Sequence, residues 1–275
     1  MPAESMLALP RDCYGVTRED DVTDLLENAR HFSESGYRAL IQCLKNIGYE
    51  DVLIEEIDET KHHIFLRHDV DLCLERAAEM ALIEREEGVR STYYILLNTE
   101  FYNSSSQNSR KCLQIILSCG HAIGLHFDAA RYPSSASALE KAASDECAIL
   151  ESIIQAPVTS ISFHRPAKKL LGRDSLIAGR AHAYEPRFFD LLAYFADSQG
   201  SWRYGHPLDD AKVRSGRALQ LVTHPIWWLE SGKETISKLE SFRCRRALLL
   251  RQEMAHNLKP FAEKFGSHGE GAPPI

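Results

Sequence analysis

The chain has 275 residues, 44% hydrophobic and 26% charged, with a formal net charge of −7 at pH 7. That length and composition suit a soluble globular protein with a substantial buried core. The acidic balance argues against a phosphate-backbone binder, since no basic stripe offsets it and the densest basic run is Arg243, Arg245 and Arg246, so no nucleic acid is expected as a partner.

Met1 to Thr17 carries Glu4, Arg11 and Asp12 and lacks the apolar core of a signal peptide. From about Asp20 to Ile57, Leu25, Leu26, Ala29, Phe32, Tyr37, Leu40, Ile41, Leu44 and Ile47 recur at three- and four-residue steps. The pattern predicts helix, divided in two by Ser33-Glu34-Ser35-Gly36. Strand and helix signals then alternate. Ile64 to Asp69 reads as a strand, Leu74 to Glu87 as a helix stopped by Gly88, and Ser91 to Leu97 as a strand. Arg110 to Ser118 follows as a helix, Ala122 to Phe127 as a strand and Ser137 to Gln155 as a long helix. Val158 to Phe163, Leu192 to Ala196 and Leu219 to Thr223 read as strands, and Thr235 to Phe265 as one or two closing helices.

Strands separated by helices pair in parallel, and six or seven of them favour a barrel or barrel-like sheet with its active site at the carboxyl ends of the strands. The expected architecture is α/β, a distorted (β/α) barrel of about seven parallel strands with N-terminal and C-terminal helical extensions. It forms one domain over 1–275: a helical extension at 14–60, the barrel at 62–230, closing helices at 231–265 and a loose tail at 266–275. Seven scattered cysteines without a CxxC pair suit reduced thiols in a cytoplasmic protein, and no stretch is long and apolar enough for a membrane span.

Arg67-His68-Asp69-Val70-Asp71 closes the first strand. Alternation puts Asp69 and Asp71 on one side, and two like charges so placed call for a cation beside one of them, or for a proton acceptor. Other strands end in comparable residues: His126 with Asp128, His164-Arg165-Pro166, Asp197-Ser198, and His224-Pro225 followed by Trp227 and Trp228. Each alone has a structural explanation, since Asp caps helices and His hydrogen-bonds at strand ends. Gathered on one rim, they point to chemistry. His121, at the entrance of its strand, falls off that rim.

These segments resemble, in residue type and order, the polysaccharide deacetylase family of carbohydrate esterases, over roughly Ile64 to Trp228. The resemblance is nearer to a divergent cytoplasmic subgroup bearing His-Asp-Val-Asp, similar to deacetylases of O-antigen and surface-polysaccharide biosynthesis. It implies a metal-dependent hydrolase that removes an N-acetyl group from an amino sugar. Asp69 would be the catalytic base, His224 the general acid, and Asp71 and His126 metal ligands. The chain departs from the family in two places: Ala130 stands where a second His ligand is usual, and His164-Arg165-Pro166-Ala167 replaces Arg-x-Pro-Tyr. His164 is therefore the expected third ligand, with Asp128 next, and Pro166 restrains the backbone that presents it. Zn2+ is the expected divalent metal. Arg67 or Arg165 would hold Asp69 in place; Asp128 and Asp197 would orient or bind, and Trp202, Trp227 and Trp228 offer flat faces to a sugar. The expected partner is an N-acetylated sugar, nucleotide-linked, lipid-linked or part of an oligosaccharide. The alternatives are a metal-free cyclic amide or ureide hydrolase on the same barrel, or a catalytically silent sugar-binding protein.

Overall fold

The structure is a computed structural model and describes residues 19–165 and 170–265. The readings of Met1 to Thr17, of Pro166 and of the tail from Gly266 lie outside those residues. The chain divides into two compact units, Met1–Leu229 and Glu230–Ile275.

The first unit opens with helices α1 (Glu19–Asn28) and α2 (Glu34–Ile47). Ser33 caps α2 by accepting the Gly36 N–H at 3.1 Å, and Tyr37, Leu40, Ile41 and Leu44 form its buried face. The helical pattern was expected to run to Ile57, but α2 stops at Gly48, which takes φ +99°. That left-handed conformation favours glycine, and the two-residue strand β1 (Glu50–Asp51) follows. Val52, Ile54 and Ile57 are apolar because they pack into the core beside Phe65, not because they continue a helix.

The alternating elements follow: β2 (His63–Val70), α3 (Leu74–Glu87), β3 (Thr92–Ile95), α4 (Gln107–Ser118), β4 (Ala122–Phe127), α5 (Ala136–Ile154) and β5 (Ser160–Phe163). Then come β6 (Ala181–His182), α6 (Arg187–Asp190), β7 (Ala193–Ala196), α7 (Ala211–Arg214), β8 (Leu219–Thr223) and α8 (Pro225–Leu229). Every pairing between these strands is parallel, in the order β6-β5-β4-β3-β2-β8-β7, with β1 paired to the start of β2. This is a distorted, laterally open (β/α) barrel. β6 was missed by the sequence reading because two residues carry no periodicity.

β2 is buried along its whole length, as a central parallel strand covered on both faces must be. Its odd residues Phe65, Arg67 and Asp69 face the barrel interior, and its even residues face the helices. Gly124 on β4 is required by the interior packing: a Cβ there would lie 2.4 Å from the Tyr94 ring. The floor is filled by Phe65, Tyr94, Phe188, Leu192 and Ala218. Between the unpaired edges β6 and β7, Tyr184, Phe189 and Tyr194 form a run of ring contacts at 5.5 and 4.8 Å.

The second unit consists of α9 (Thr235–Asn257) and α10 (Lys259–Phe265). Glu234 and Ser237 form a capping box, and the buried Glu230 carboxylate accepts from Arg245 at 2.6 Å.

Candidate metal centre and active site

Five strand ends bring their polar residues to one rim. Asp71, one residue beyond β2, has its Oδ1 3.1 Å from His126 Nε2 and 3.1 Å from His164 Nδ1. His126 comes from β4 and His164 from the residue after β5. Adjacent ligand atoms of a tetrahedral zinc with bonds of about 2.0 Å lie ~3.3 Å apart, so both separations from Asp71 match such a site and the donor set is N/N/O. Among the described residues they form the group that could hold a metal ion, with all its donor atoms within 4.8 Å of one another. One feature departs from the usual pattern: His126 Nδ1 is buried with no hydrogen-bond partner, where a metal-bound imidazole commonly donates its second N–H.

Asp69 lies behind this group. Its Oδ2 is 3.9 Å from His126 Nε2 and accepts from Arg67 Nη2 at 3.1 Å, while Ser162 Oγ donates to Oδ1 at 3.4 Å. Arg67 is fully buried, gives its other terminal nitrogen to Gln220 at 3.1 Å, and lies over the rings of Tyr94 and Tyr184. Burial alone would raise the Asp69 carboxyl, but Arg67, with His126 and His224, outweighs it and holds the group below its ordinary value. Arg67 therefore favours the ionised form of Asp69 against the effect of burial.

His224 follows β8. Its Nδ1 donates to Asp197 Oδ1 at 2.5 Å, and its Nε2 points toward Asp71 at 3.7 Å. Asp197 is completely buried and also accepts from Trp228 Nε1 and from the His224 backbone N–H. Burial works against a charged imidazole here. Asp197 outweighs it, helped by Asp71 and Asp69, and pushes the His224 pKa up to about 9. An imidazolium with its Nδ1 tied down can release a proton only from Nε2, the atom that faces the pocket.

The pocket between these groups is walled by Asp69, Asp71, Cys73, His224, Ile226 and Trp227. Trp202 is not among the residues lining it; its ring packs with Phe32, His206 and Trp228, as an aromatic cluster between the first helices and the barrel end. Asp128 is not in the ligand group either. Its buried carboxylate accepts from Arg165, from Arg131 and from the Ala130 N–H, so Arg165 holds Asp128 and Arg67 holds Asp69. Ala130 sits in the short 3-10 turn that Asp128 caps. Sequence reading missed Ser162 and Gln220, whose only signal is the alternation of Ser160 and Ser162 on β5 and a single polar residue between Leu219 and Leu221 on β8.

The rim of this parallel α/β barrel thus joins an Asp/His/His donor set to an Asp–His pair, an arrangement suited to holding a divalent ion and moving a proton. No protein-family model matches the chain, and no curated protein does. Among solved structures it is similar to a family 4 carbohydrate esterase from Bacillus anthracis, at 14% identity over 85% of this chain and 88% of that one, with a TM-score of 0.42. It is similar to the Streptococcus pyogenes deacetylase PplD in complex with acetate, at 12% identity over 76% and 87% of the two chains, TM-score 0.40. It is also similar to a CE4 family pseudoenzyme from Bacillus anthracis, at 11% identity over 68% and 63%, TM-score 0.37. Likeness at this level assigns no role to any side chain, and what the rim can do rests on its own geometry.

Proposed function

We propose that this chain is a divalent-metal-dependent deacetylase that hydrolyses the N-acetyl group of an amino sugar, in the cytoplasmic synthesis of a surface polysaccharide of the O-antigen kind. The observation that carries this reading is the convergence on one pocket of three elements: the Asp71/His126/His164 donor set, a carboxylate held by a buried arginine, and an imidazole held by a buried aspartate. Amide hydrolysis needs all three functions, because the carbonyl is unreactive and an amine anion leaves poorly.

Asp71, His126 and His164 would hold the ion, and the two nitrogens with one oxygen suit Zn2+. A divalent ion there supplies Lewis acidity toward the amide carbonyl and the attacking water, which a base as weak as Asp69 requires. Asp69 takes the proton from the attacking water, kept ionised and in place by Arg67. His224 gives its Nε2 proton to the departing nitrogen as the C–N bond breaks, and Asp197 keeps the ring oriented for that transfer. Asp128, pinned by Arg165, ties the end of β4 to the segment after β5 and so keeps His126 beside His164. Trp227 presents an apolar wall to the sugar. The substrate is an N-acetylated sugar on a nucleotide, a lipid or an oligosaccharide.

Metal analysis of the purified protein and an acetate-release assay on N-acetylated amino sugars test the reading. The expected result is one divalent ion per chain, acetate release that chelator abolishes, and recovery on adding Zn2+. Acetate release that persists after the protein is stripped of metal would overturn the metal-dependent reading, and its absence from the loaded protein would overturn the deacetylase reading.

A further inference from the structure

Behind the rim lies a second polar cluster that the reaction above does not use. His68 alternates with Arg67 and Asp69 and therefore faces the helices, in a layer otherwise made of Leu66, Val70, Leu221 and similar residues. It is directly opposite Tyr93 on β3 and Thr223 on β8, so the three form one row across three adjacent strands. His68 Nδ1 is 2.7 Å from Thr223 Oγ1, and its Nε2 is 2.8 Å from Glu84 Oε1. Glu84, on α3, also accepts from Tyr37 at 2.5 Å, Tyr93 at 2.6 Å and Ser91 at 2.6 Å. Glu84, His68, Tyr93 and Thr223 are each at most 0% exposed. Nearby, His121 accepts the Ser91 N–H and donates to the Ala81 carbonyl.

An ionised carboxylate in an apolar layer is a weak way to gain stability, since well-packed apolar side chains often serve as well or better. What such a group can do is specify one register, because a shift by one residue would leave it buried and unpaired. Its position makes that register matter. The β2–β8 ladder ends at the His68–Thr223 pair. The next residue on β2 is Asp69 and the next on β8 is His224. The last tie between the two strands is thus one residue from both the base and the acid, and α3, which Glu84 anchors, begins three residues after Asp71.

We propose that Glu84, His68 and Thr223 are positioning residues that set Asp69 and His224 at their working separation across the pocket. The proposal rests on the deacetylase reading for the roles of those two side chains, and on the hydrogen-bonded row alone for the positioning itself. Thr223→Val is the mildest test, since it removes the hydroxyl at nearly constant volume; Glu84→Gln is the second, and Thr223→Ser the rescue.

Two measurements on the full chain decide the matter. In the metal-loaded protein, Thr223→Val should lower kcat about tenfold with KM and metal content unchanged, and Thr223→Ser should restore it. In the metal-stripped protein, the deshielded proton NMR resonance expected of the 2.5 Å His224–Asp197 bond should shift or broaden in Thr223→Val and Glu84→Gln and persist in Thr223→Ser. If the variants melt at lower temperature but keep the wild-type kcat and the resonance, the row is structural only and the proposal is overturned. A resonance that moves as expected in a protein that releases no acetate would sink the deacetylase reading and leave the positioning intact.

Discussion

Arg67→Met removes the cation that faces Asp69 inside the barrel. The pair is 3.1 Å apart, with side chains 0% and 6% exposed, so neither solvent nor salt screens it appreciably. Two unit charges at that separation attract by about 5 kcal/mol at an effective dielectric near 20. Loss of one partner of a buried pair typically costs about 3–5 kcal/mol. The lower part of that range is expected, because His126 and His224 also favour the Asp69 carboxylate. The cost should depend on pH in a definite direction. In the wild type the folded-state pKa of Asp69 is depressed, so its contribution is present above the unfolded value and is lost as pH falls through the folded one. Without Arg67, burial acts with less opposition and the folded-state pKa rises. The stability gap between variant and wild type should therefore be widest near pH 7 and close as pH falls through that raised value toward 4. Guanidinium unfolding of the metal-stripped proteins at both pH values measures it. A double variant, Arg67→Met with Asp69→Ala, should be more stable than Arg67→Met alone at pH 7, since it removes the orphaned charge. An equal deficit at pH 7 and pH 4, or a double variant no better than the single, would refute the reasoning.

Asp71→Ala should leave the fold intact and lose the metal ion, read as metal content beside an unchanged circular dichroism spectrum; retention of a full equivalent would remove Asp71 from the ligand set. His164→Ala should weaken metal affinity by at least about tenfold in a competition titration, whereas a variant that binds metal normally and is only slower would make His164 an orienting residue. Asp69→Asn should abolish acetate release while metal content stays, and full activity would leave Asp69 a structural part. Asp197→Asn removes the main partner that raises His224, so in the metal-stripped protein the His224 pKa should fall from about 9 toward the ordinary histidine value, burial then being opposed only by Asp71 and Asp69. Imidazole NMR titration measures this, and an unmoved pKa would show that Asp197 does not govern the acid.

The strands that carry the chemistry were legible because each is bounded by strong local signals. Ala122–Phe127 and Leu219–Thr223 run as read, and Leu74–Glu87 starts and stops where its cap residues put it. Where local signals misled, tertiary packing had borrowed the same residue types: Val52, Ile54 and Ile57 continue an apolar pattern past Gly48 but serve the barrel floor. The rim was legible as a set of residue types at strand ends. Its pairings were not. Alternation puts Arg67 on the face of Asp69 but leaves Arg165 as a rival, and nothing local distinguishes Asp128 from His164 as the neighbour of Asp71, because those choices depend on which strands adjoin and how far each side chain reaches.

The order of residues along the chain by itself determined the alternation of strand and helix, and hence a parallel sheet with its polar ends on one side, since periodicity and capping act over a few residues. It also determined which face each β2 residue takes, because alternation is a property of the extended backbone. Only the tertiary structure decided that His68 ties β2 to β8 and α3, that Asp197 reaches His224, and that Trp202 packs with Phe32 instead of lining the pocket. Each of those contacts joins segments distant in sequence, and such contacts are set by strand order, register and burial, quantities that no local pattern encodes.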